Sequence, residues 1–362
     1  MSTVHDLIDR LPTVDLHCHL IGTTRAKTFA ELARRAKLDL PDTPETIYAS
    51  VNSLPPDPAL YTDTVIPVPQ GRRADEPEVS YSLFQVSGWV NAALRDAEDY
   101  ARLAYEAFEA AQRQSNTAHL EVSFDSVPEH LRFGYREQVE ALVAGVRAAE
   151  RDFGMTGRLI AAIDRSGTGE QALARVRKVV EHPHEYVAGI GLDNLETKGP
   201  PERFADAFRL AGEAGLRRTA HSSEHAPVAA NTITCLDVLG CDRIDHGYFV
   251  LEDQAVVDRL REEQVTFTVA STTSRRSWRP WRRASIKAML QAGLNVVPAS
   301  DDPGMFPTTL RGEYRILADE LGVDADRIGR MALAAVEACW LPEDQKAKLR
   351  RRVEKVTAGE TA

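Results

Sequence analysis

Short apolar runs alternate with longer amphipathic segments along most of the chain, and this alternation is what most limits the folds open to it. Eight runs have the length and apolar character of strands: 13–19, 118–124, 157–164, 187–193, 216–221, 242–246, 265–270 and 295–300. Segments with helical spacing follow them: 25–37, 81–115, 135–152, 169–181, 201–214, 228–239, 252–263 and 284–292, then 310–321, 325–339 and 343–355. This order predicts an α/β fold, a parallel (β/α)8 TIM barrel with an outer helical ring and extra C-terminal helices.

One segment, residues 41–80, breaks the alternation and carries eight prolines. Prolines at this density exclude a long helix. This Pro-rich insertion follows the first strand, on the side where a barrel carries its active site, so it is predicted to form a lid or pocket wall. A surface excursion without a role is the alternative. No linker-like stretch divides the chain, and we expect one domain over 1–362.

The composition narrows the range of partners. With 44 Lys and Arg against 54 Asp and Glu, the net charge is −10, which argues against broad nucleic-acid binding. The four cysteines form no CxxC pair, so reduced thiols are expected. No signal-peptide pattern and no membrane-length apolar run occurs, which predicts a cytoplasmic protein that does not enter a membrane.

Side chains suited to a divalent metal end four of the predicted strands: His17 and His19 the first, His221 the fifth, His246 the sixth and Asp301 the eighth. Residues two apart on a strand share a face, so His17 and His19 can reach one ion. Each motif alone has a structural reading, as a packed histidine or an Asp-Asp-Pro-Gly turn. The ends of barrel strands form one rim, however, and together the motifs predict a single metal site. A catalytic metal there indicates hydrolysis.

Other acidic groups flank these motifs. Glu224 follows His221 by three residues, and Asp302 lies beside Asp301. Adjacent carboxylates in a concave site usually need a cation or protonation. Asp245 precedes His246 and is expected to face away from it on an extended strand.

The motifs HCHLIG, HSSE, DHG and SDDP, in this order, resemble those of the adenosine/adenine deaminase family of metal-dependent amidohydrolases. The resemblance covers most of the chain, and GIGLDNLETKGPPERF is similar to the adenine deaminase branch. It implies a hydrolase that exchanges the amino group of a purine-like heterocycle for an oxo group and releases ammonia. It also implies one Zn²⁺ per chain, with His17, His19, His221 and Asp301 as its ligands.

The resemblance further implies roles for the groups around the metal. Glu224 would donate a proton to the ring nitrogen next to the reacting carbon. His246, acting with Asp301, would orient the water and assist its deprotonation. The implied substrate contacts are Asp302, on the five-membered side of the ring, together with Gly191, Asp193 and Phe84.

Three positions depart from the family pattern and leave the exact substrate open. Ile21 stands where the family has an acidic residue, which removes a partner for a sugar hydroxyl. Glu196, in NLET, stands near the position of a backbone glycine and could present a carboxylate instead. The sequence ASTTS replaces the CPxSN motif after the seventh strand.

Residues 275–283, RRSWRPWRR, form an Arg/Trp segment that follows the seventh strand on the active-site rim. Guanidinium groups suit phosphate or carboxylate, and tryptophan suits stacking. We therefore expect Arg275 and Arg276 to bind an anionic or extended substituent of the substrate, as in a nucleotide or a pterin-like ring. The alternative is a solvated loop or a subunit contact in a homo-oligomer.

Two other functions remain open from the sequence. One is a cyclic amidohydrolase of the same superfamily. Its binuclear members need a bridging lysine after the fourth strand, and VAGIGLDNLE offers none, which favours one metal. The other is a binding protein on a retired enzyme scaffold, against which the complete ligand set argues.

Overall fold

The computed structural model describes residues 3–52, 58–69, 76–273 and 276–360. The strands in these residues are β1 (Thr13–His19), β2 (Val51–Asn52), β3 (Tyr81–Ser82), β4 (Thr117–Phe124), β5 (Thr156–Asp164), β6 (Val187–Asp193), β7 (Arg217–Ser222), β8 (Arg243–His246), β9 (Thr266–Val269) and β10 (Asn295–Pro298). The α-helices are α1 (Val4–Arg10), α2 (Ala26–Ala36), α3 (Pro44–Ala49), α4 (Leu83–Ala93), α5 (Ala97–Ser115), α6 (Tyr135–Phe153), α7 (Gly169–Glu181), α8 (Ala205–Glu213), α9 (Ala230–Asp237), α10 (Gln254–Glu262), α11 (Arg279–Gln291), α12 (Leu310–Asp319), α13 (Ala325–Ala338) and α14 (Glu343–Thr357).

The larger sheet is a parallel barrel of eight strands, in the order β1-β4-β5-β6-β7-β8-β9-β10. A bridge between Cys18 and Asp301 closes it. There the backbone N–H of His19 donates to the Asp301 carbonyl, and the Asp301 N–H donates to the His17 carbonyl, both at 2.9 Å. The predicted (β/α)8 barrel is confirmed. Because the barrel is closed, the predicted ligands His17 and His19 on the first strand lie beside Asp301, which follows the last strand.

The predicted elements agree closely with the structure, with three differences. The helix predicted over 81–115 is two helices, because Asp96 caps the start of α5 through the Asp99 N–H. The helix predicted over 284–292 begins earlier, at Arg279, with Pro280 in its first turn, where a missing N–H costs nothing. Helix α1 was not predicted; it has seven residues and a capping box built on Thr3.

The described part of the Pro-rich insertion holds the short helix α3 and the strand β2, which pairs in parallel with β3. It packs against the Arg/Trp segment. Trp281 Nε1 donates to the Ile66 carbonyl at 3.0 Å, and the Ser277 N–H donates to Glu76 Oε1 at 2.8 Å. The insertion therefore braces the loop that follows β9.

Polar groups fill the lower end of the barrel, opposite the ligand rim. Arg243 Nη2 lies 2.6 Å from Glu121 Oε2, and both side chains are at most 1% exposed. His119 Nε2 is 3.2 Å from Glu121 Oε1, which also accepts the Trp340 N–H. A buried charge without such partners is costly, so this cluster belongs to the packing of the barrel.

No helix in the described part of the chain is long and apolar enough to cross a bilayer.

Candidate active site

Four donor atoms converge at the C-terminal rim of the barrel. His17 Nε2 lies 3.3 Å from His19 Nε2, which lies 3.2 Å from His221 Nε2. Asp301 Oδ1 is 3.4 Å from both His17 Nε2 and His19 Nε2. The structure therefore brings the four predicted metal ligands together from β1, β7 and the turn after β10.

The spacing of these atoms fits joint coordination of one zinc ion. Zinc with bonds of about 2.0–2.1 Å separates its ligand atoms by roughly 3.3–3.4 Å, close to the observed 3.2–3.4 Å. Within the described residues, His17, His221, His246 and Asp301 also offer donor atoms that all lie within 4.8 Å of one another. A cation is the natural way to satisfy imidazole and carboxylate lone pairs packed this closely.

A second layer of groups fixes the tautomer of His17. Thr268 Oγ1 donates to Asp245 Oδ1 at 2.7 Å, so its oxygen is left to accept from His17 Nδ1 at 3.1 Å. The proton on His17 therefore sits on Nδ1, and Nε2 keeps a free lone pair for the metal.

Carboxylates lie near the other two imidazoles. Asp193 lies 3.5 Å from His19 Nδ1 and 3.6 Å from His221 Nδ1. Asp245 lies 3.6 Å from His221 Nδ1. These negative charges favour a proton on each Nδ1, which leaves the Nε2 atoms free to face the metal site.

Several non-glycine residues adopt left-handed backbone conformations at this rim: Asn194 (φ 74°), Ser223 (φ 52°), His246 (φ 76°) and Asp301 (φ 61°). Each such residue costs about 1–3 kcal/mol, and clusters of them are typical of functional sites. The turn at His246 also makes one prediction wrong. Asp245 faces the predicted metal ligands because it lies in register with His221 and Thr268 on the neighbouring strands, and the left-handed turn at the end of β8 brings His246 to the same site.

Glu224 lies in a turn that Glu196 holds from below. Glu196 Oε2 accepts the N–H groups of Glu224, His225 and Ala226 at 2.9–3.1 Å, and Oε1 accepts that of Ser223 at 2.8 Å. The expectation that the Glu196 carboxylate faces the substrate is therefore wrong, because the backbone of the HSSE turn occupies it.

His246 is arranged to accept a proton on Nε2. Tyr248 OH donates to the Ala270 carbonyl at 2.8 Å, so its oxygen accepts from His246 Nδ1 at 3.2 Å. His246 Nε2 then points toward Glu224, 3.5 Å from Oε2. Burial lowers the pKa of His246 well below its ordinary value, which keeps the ring neutral.

Asp302 is buried beside the ligand Asp301. Burial, and then the charge of Asp301, raise the pKa of Asp302 to about 8. Gly22 makes room for this side chain, because a Cβ there would lie 1.8 Å from Asp302 Oδ1. This contact explains the glycine of HCHLIG.

A cavity of about 100 Å³ opens over these groups. Its lining includes the apolar side chains of Ile21, Leu83 and Phe84 and the carboxylates of Asp125 and Asp193. Glu224, His246 and Asp302 also line it. None of its described lining residues is Lys or Arg, and none belongs to the described part of the Pro-rich insertion.

Three of the four predicted substrate contacts among these residues line the cavity, and Gly191 does not. Phe84, Asp193 and Asp302 line the cavity, and their substrate contacts stay predictions. Gly191 lies beneath it, where a Cβ would come 2.8 Å from Asp193 Oδ1; its role in this structure is to make room for that carboxylate.

The predicted anion-binding role of the Arg/Trp segment stays a prediction. Arg276 Nη2 donates to the Ala49 carbonyl at 3.1 Å, and Arg276 is not among the described residues that line the cavity. Arg275 lies outside the described residues. Trp278 and Trp281 are buried, so the segment is not a solvated loop.

From the sequence, no role at the site is predicted for four buried residues that surround the predicted ligands and catalytic groups. Thr268, Asp245, Tyr248 and Arg282 contact the ligands or the predicted catalytic groups from buried positions. Asp245 belongs to the DHG motif, but only the structure shows which way its side chain faces. Arg282 belongs to the Arg/Trp segment, whose pattern indicated anion binding rather than contact with Glu224, and no motif marks Thr268 or Tyr248.

Comparison with known proteins agrees with this geometry. The family model for adenosine deaminase matches residues 58–356. An adenine deaminase of Rhodospirillum rubrum is 30% identical over 349 residues, which cover 95% of this chain and 96% of that protein. An amidohydrolase from Burkholderia ambifaria, solved with bound zinc, has a TM-score of 0.83 at 28% identity, covering 99% of this chain and 94% of that one. The adenine deaminase of Arthrobacter aurescens has a TM-score of 0.79 at 27% identity, covering 95% of this chain and 98% of that one.

The fold and the site thus define a metal-dependent amidohydrolase. The chain belongs to the adenosine deaminase family, as the motifs predicted, and it is a hydrolytic deaminase that acts on carbon–nitrogen bonds.

Proposed function

We propose that the chain is a zinc-dependent aminohydrolase that converts adenine, or a close 6-aminopurine, to the 6-oxo product and ammonia. The observation that carries the proposal is the convergence of donor atoms from His17, His19, His221 and Asp301 directly beside Glu224 and His246. The similarity to proteins named adenine deaminase supports the choice of heterocycle.

Each residue of the site has a separate role in the proposed deamination. Zinc held by the four ligands would supply a Lewis acid that lowers the pKa of water toward ~7. His246 accepts a proton from the attacking water at Nε2, the atom left free by its bond to Tyr248. Glu224 supplies a proton to the ring nitrogen, and Asp302 offers a hydrogen bond on the other side of the base. The apolar wall of Ile21 and Phe84 excludes water from the face of the ring.

The charge of the cavity favours a neutral base over a nucleotide. Asp125 and Asp193 face the space, and no described lining residue is a cation. Juxtaposing a phosphate with these carboxylates costs several kcal/mol, so we expect kcat/KM for AMP to be lower than for adenine by about 100-fold or more. An anionic substituent held by Arg275 and Arg276 stays a separate prediction, which the AMP arm of the screen below tests. Ile21 offers no partner to a ribose hydroxyl.

An ammonia-release screen of the zinc-loaded protein tests the proposal. Its substrates are adenine, adenosine, AMP and an aminopterin, and adenine is expected to react fastest. His17→Ala should lose zinc and activity together, whereas Glu224→Gln should keep zinc and lose turnover by about 100-fold or more. A fully zinc-loaded protein that releases no ammonia from any 6-aminopurine refutes the proposal, and a fully active Glu224→Gln refutes the role of that residue.

A further inference from the structure

Arg282 is a buried cation that the chemistry described above does not use. Its side chain is 1% exposed, and Nη2 donates to Glu224 Oε1 at 2.5 Å. Its guanidinium also lies over the ring of Tyr248, 4.7 Å from the centroid, with Nη1 3.4 Å from the hydroxyl. One arginine thus contacts the proposed proton donor and the residue that orients His246.

The Arg/Trp segment explains how an arginine reaches this position. Helix α11 begins within the segment, and Trp281, next to Arg282, is fixed by its hydrogen bond to the Ile66 carbonyl. Ser285, one turn along, donates to the Tyr248 carbonyl at 2.6 Å. The first turn of α11 is therefore held from the outside by the Pro-rich insertion and from the inside by Tyr248, with Arg282 directed at Glu224.

The two oxygens of Glu224 consequently have different surroundings. Oε1 faces Arg282, whereas Oε2 lies 2.9 Å from His225 Nδ1 and 3.5 Å from His246 Nε2. A guanidinium has five donors and no acceptor, so a proton on Oε1 would find no acceptor on the side of Arg282, and Oε2 is the favoured oxygen for a proton. A proton on Glu224 resides on Oε2, on the side of His246.

We propose that Arg282 is a positioning residue for the deamination: it holds Oε1 of Glu224, so that Oε2 alone carries the proton given to the ring nitrogen. This inference rests on the proposed function. The Oε2 proton passes to the ring nitrogen as water oxygen bonds to the carbon, and His246 takes a water proton. The exocyclic nitrogen leaves as ammonia with the proton from His246. The hydroxyl proton of the new carbonyl returns to Oε2, which restores Glu224.

The test compares Arg282→Met, Arg282→Lys and, as the matched control, Arg283→Met in the zinc-loaded enzyme with adenine as substrate. Arg283 is the next residue of α11 and pairs with Glu320 away from Glu224. In Arg282→Met we expect kcat to fall about 30- to 100-fold while KM stays within about threefold, because orientation and not binding is lost. Arg282→Lys should recover about tenfold of this loss, and Arg283→Met should match the wild type.

The pH profile of kcat separates positioning from mere packing. A cation beside a carboxylate favours its charged form, so the limb that reports loss of the Glu224 proton should move to higher pH in Arg282→Met and stay in place in Arg282→Lys. Zinc content and the folded fraction are measured on the same samples. A kcat that falls only with the folded fraction, with the limb unmoved, overturns the inference.

Two further outcomes are decisive. If Arg282→Met does not fold, Arg282→Lys decides: a reduced kcat at full zinc content supports the inference, and a wild-type kcat overturns it. Wild-type enzyme that leaves adenine intact removes the proposed function and this inference with it, whereas normal wild-type turnover with a fully active Arg282→Met removes the inference alone.

Discussion

Glu196→Gln is expected to loosen the turn that carries Glu224 while leaving the metal ligands in place. The carboxylate accepts the N–H groups of Ser223 on Oε1, and those of Glu224, His225 and Ala226 on Oε2. An amide has one acceptor oxygen and two donors. The least costly arrangement keeps its oxygen on the three N–H groups and turns its NH₂ toward the Ser223 N–H.

The cost follows from these contacts. Losing one hydrogen bond to a charged group removes about 1.5–3 kcal/mol, and leaving a buried N–H unpaired adds about 1–3 kcal/mol. The remaining three bonds also lose their charge assistance. We therefore expect the free energy of unfolding to fall by about 3–5 kcal/mol. Because Glu224 shifts with the turn, kcat should fall about 100-fold.

Urea unfolding and steady-state ammonia release measure the two effects, with zinc content checked in parallel. Glu202→Gln is the control, since it makes the same change on an exposed side chain of the next segment. An unfolding midpoint and a kcat equal to those of the wild type would show that Glu196 does not hold the turn.

Three other substitutions test contacts beside the metal site, at the Pro-rich insertion and at the lower end of the barrel. Thr268→Val should weaken zinc binding by about 10- to 100-fold, because it frees the tautomer of His17; chelator competition measures this, and an unchanged Kd contradicts it. Trp281→Ala should cost about 3–5 kcal/mol of stability and speed proteolytic cleavage in the Pro-rich insertion, whereas wild-type cleavage rates would exclude a bracing role. Arg243→Met should cost about 3–5 kcal/mol by leaving Glu121 charged and unpaired, and Glu121→Gln in the same chain should recover part of that loss in thermal unfolding; no recovery would contradict the pairing.

The sequence alone predicted the barrel and the cluster of candidate metal ligands, because both depend on short-range patterns. Apolar runs of strand length define the eight strands. The residue at the end of each strand must lie on the rim, so His17, His221 and Asp301 could be placed together without coordinates. The same logic explains why Glu224, three residues beyond a ligand, was a sound candidate.

What escaped prediction depends on backbone turns and on contacts between distant segments. Asp245 was assigned to the wrong face because its register with His221 and Thr268, and the left-handed turn at His246, exist only in the folded barrel. Glu196 reads as a substrate contact until the HSSE turn is seen folded over its carboxylate. Arg282 looks like one more member of a basic patch, and only tertiary packing shows it buried against Glu224.

The seam at which β1 meets Asp301 has a consequence for stability. Backbone hydrogen bonds join the two edges of the sheet there, and the side chains of His17, His19 and Asp301 converge on the proposed zinc site. A zinc ion bound there would link the first strand of the barrel to the turn after the last strand. Removing zinc should open the barrel first along this join, with faster amide exchange at His19 and Asp301, while β5 and β6, which carry none of the four predicted ligands, stay protected.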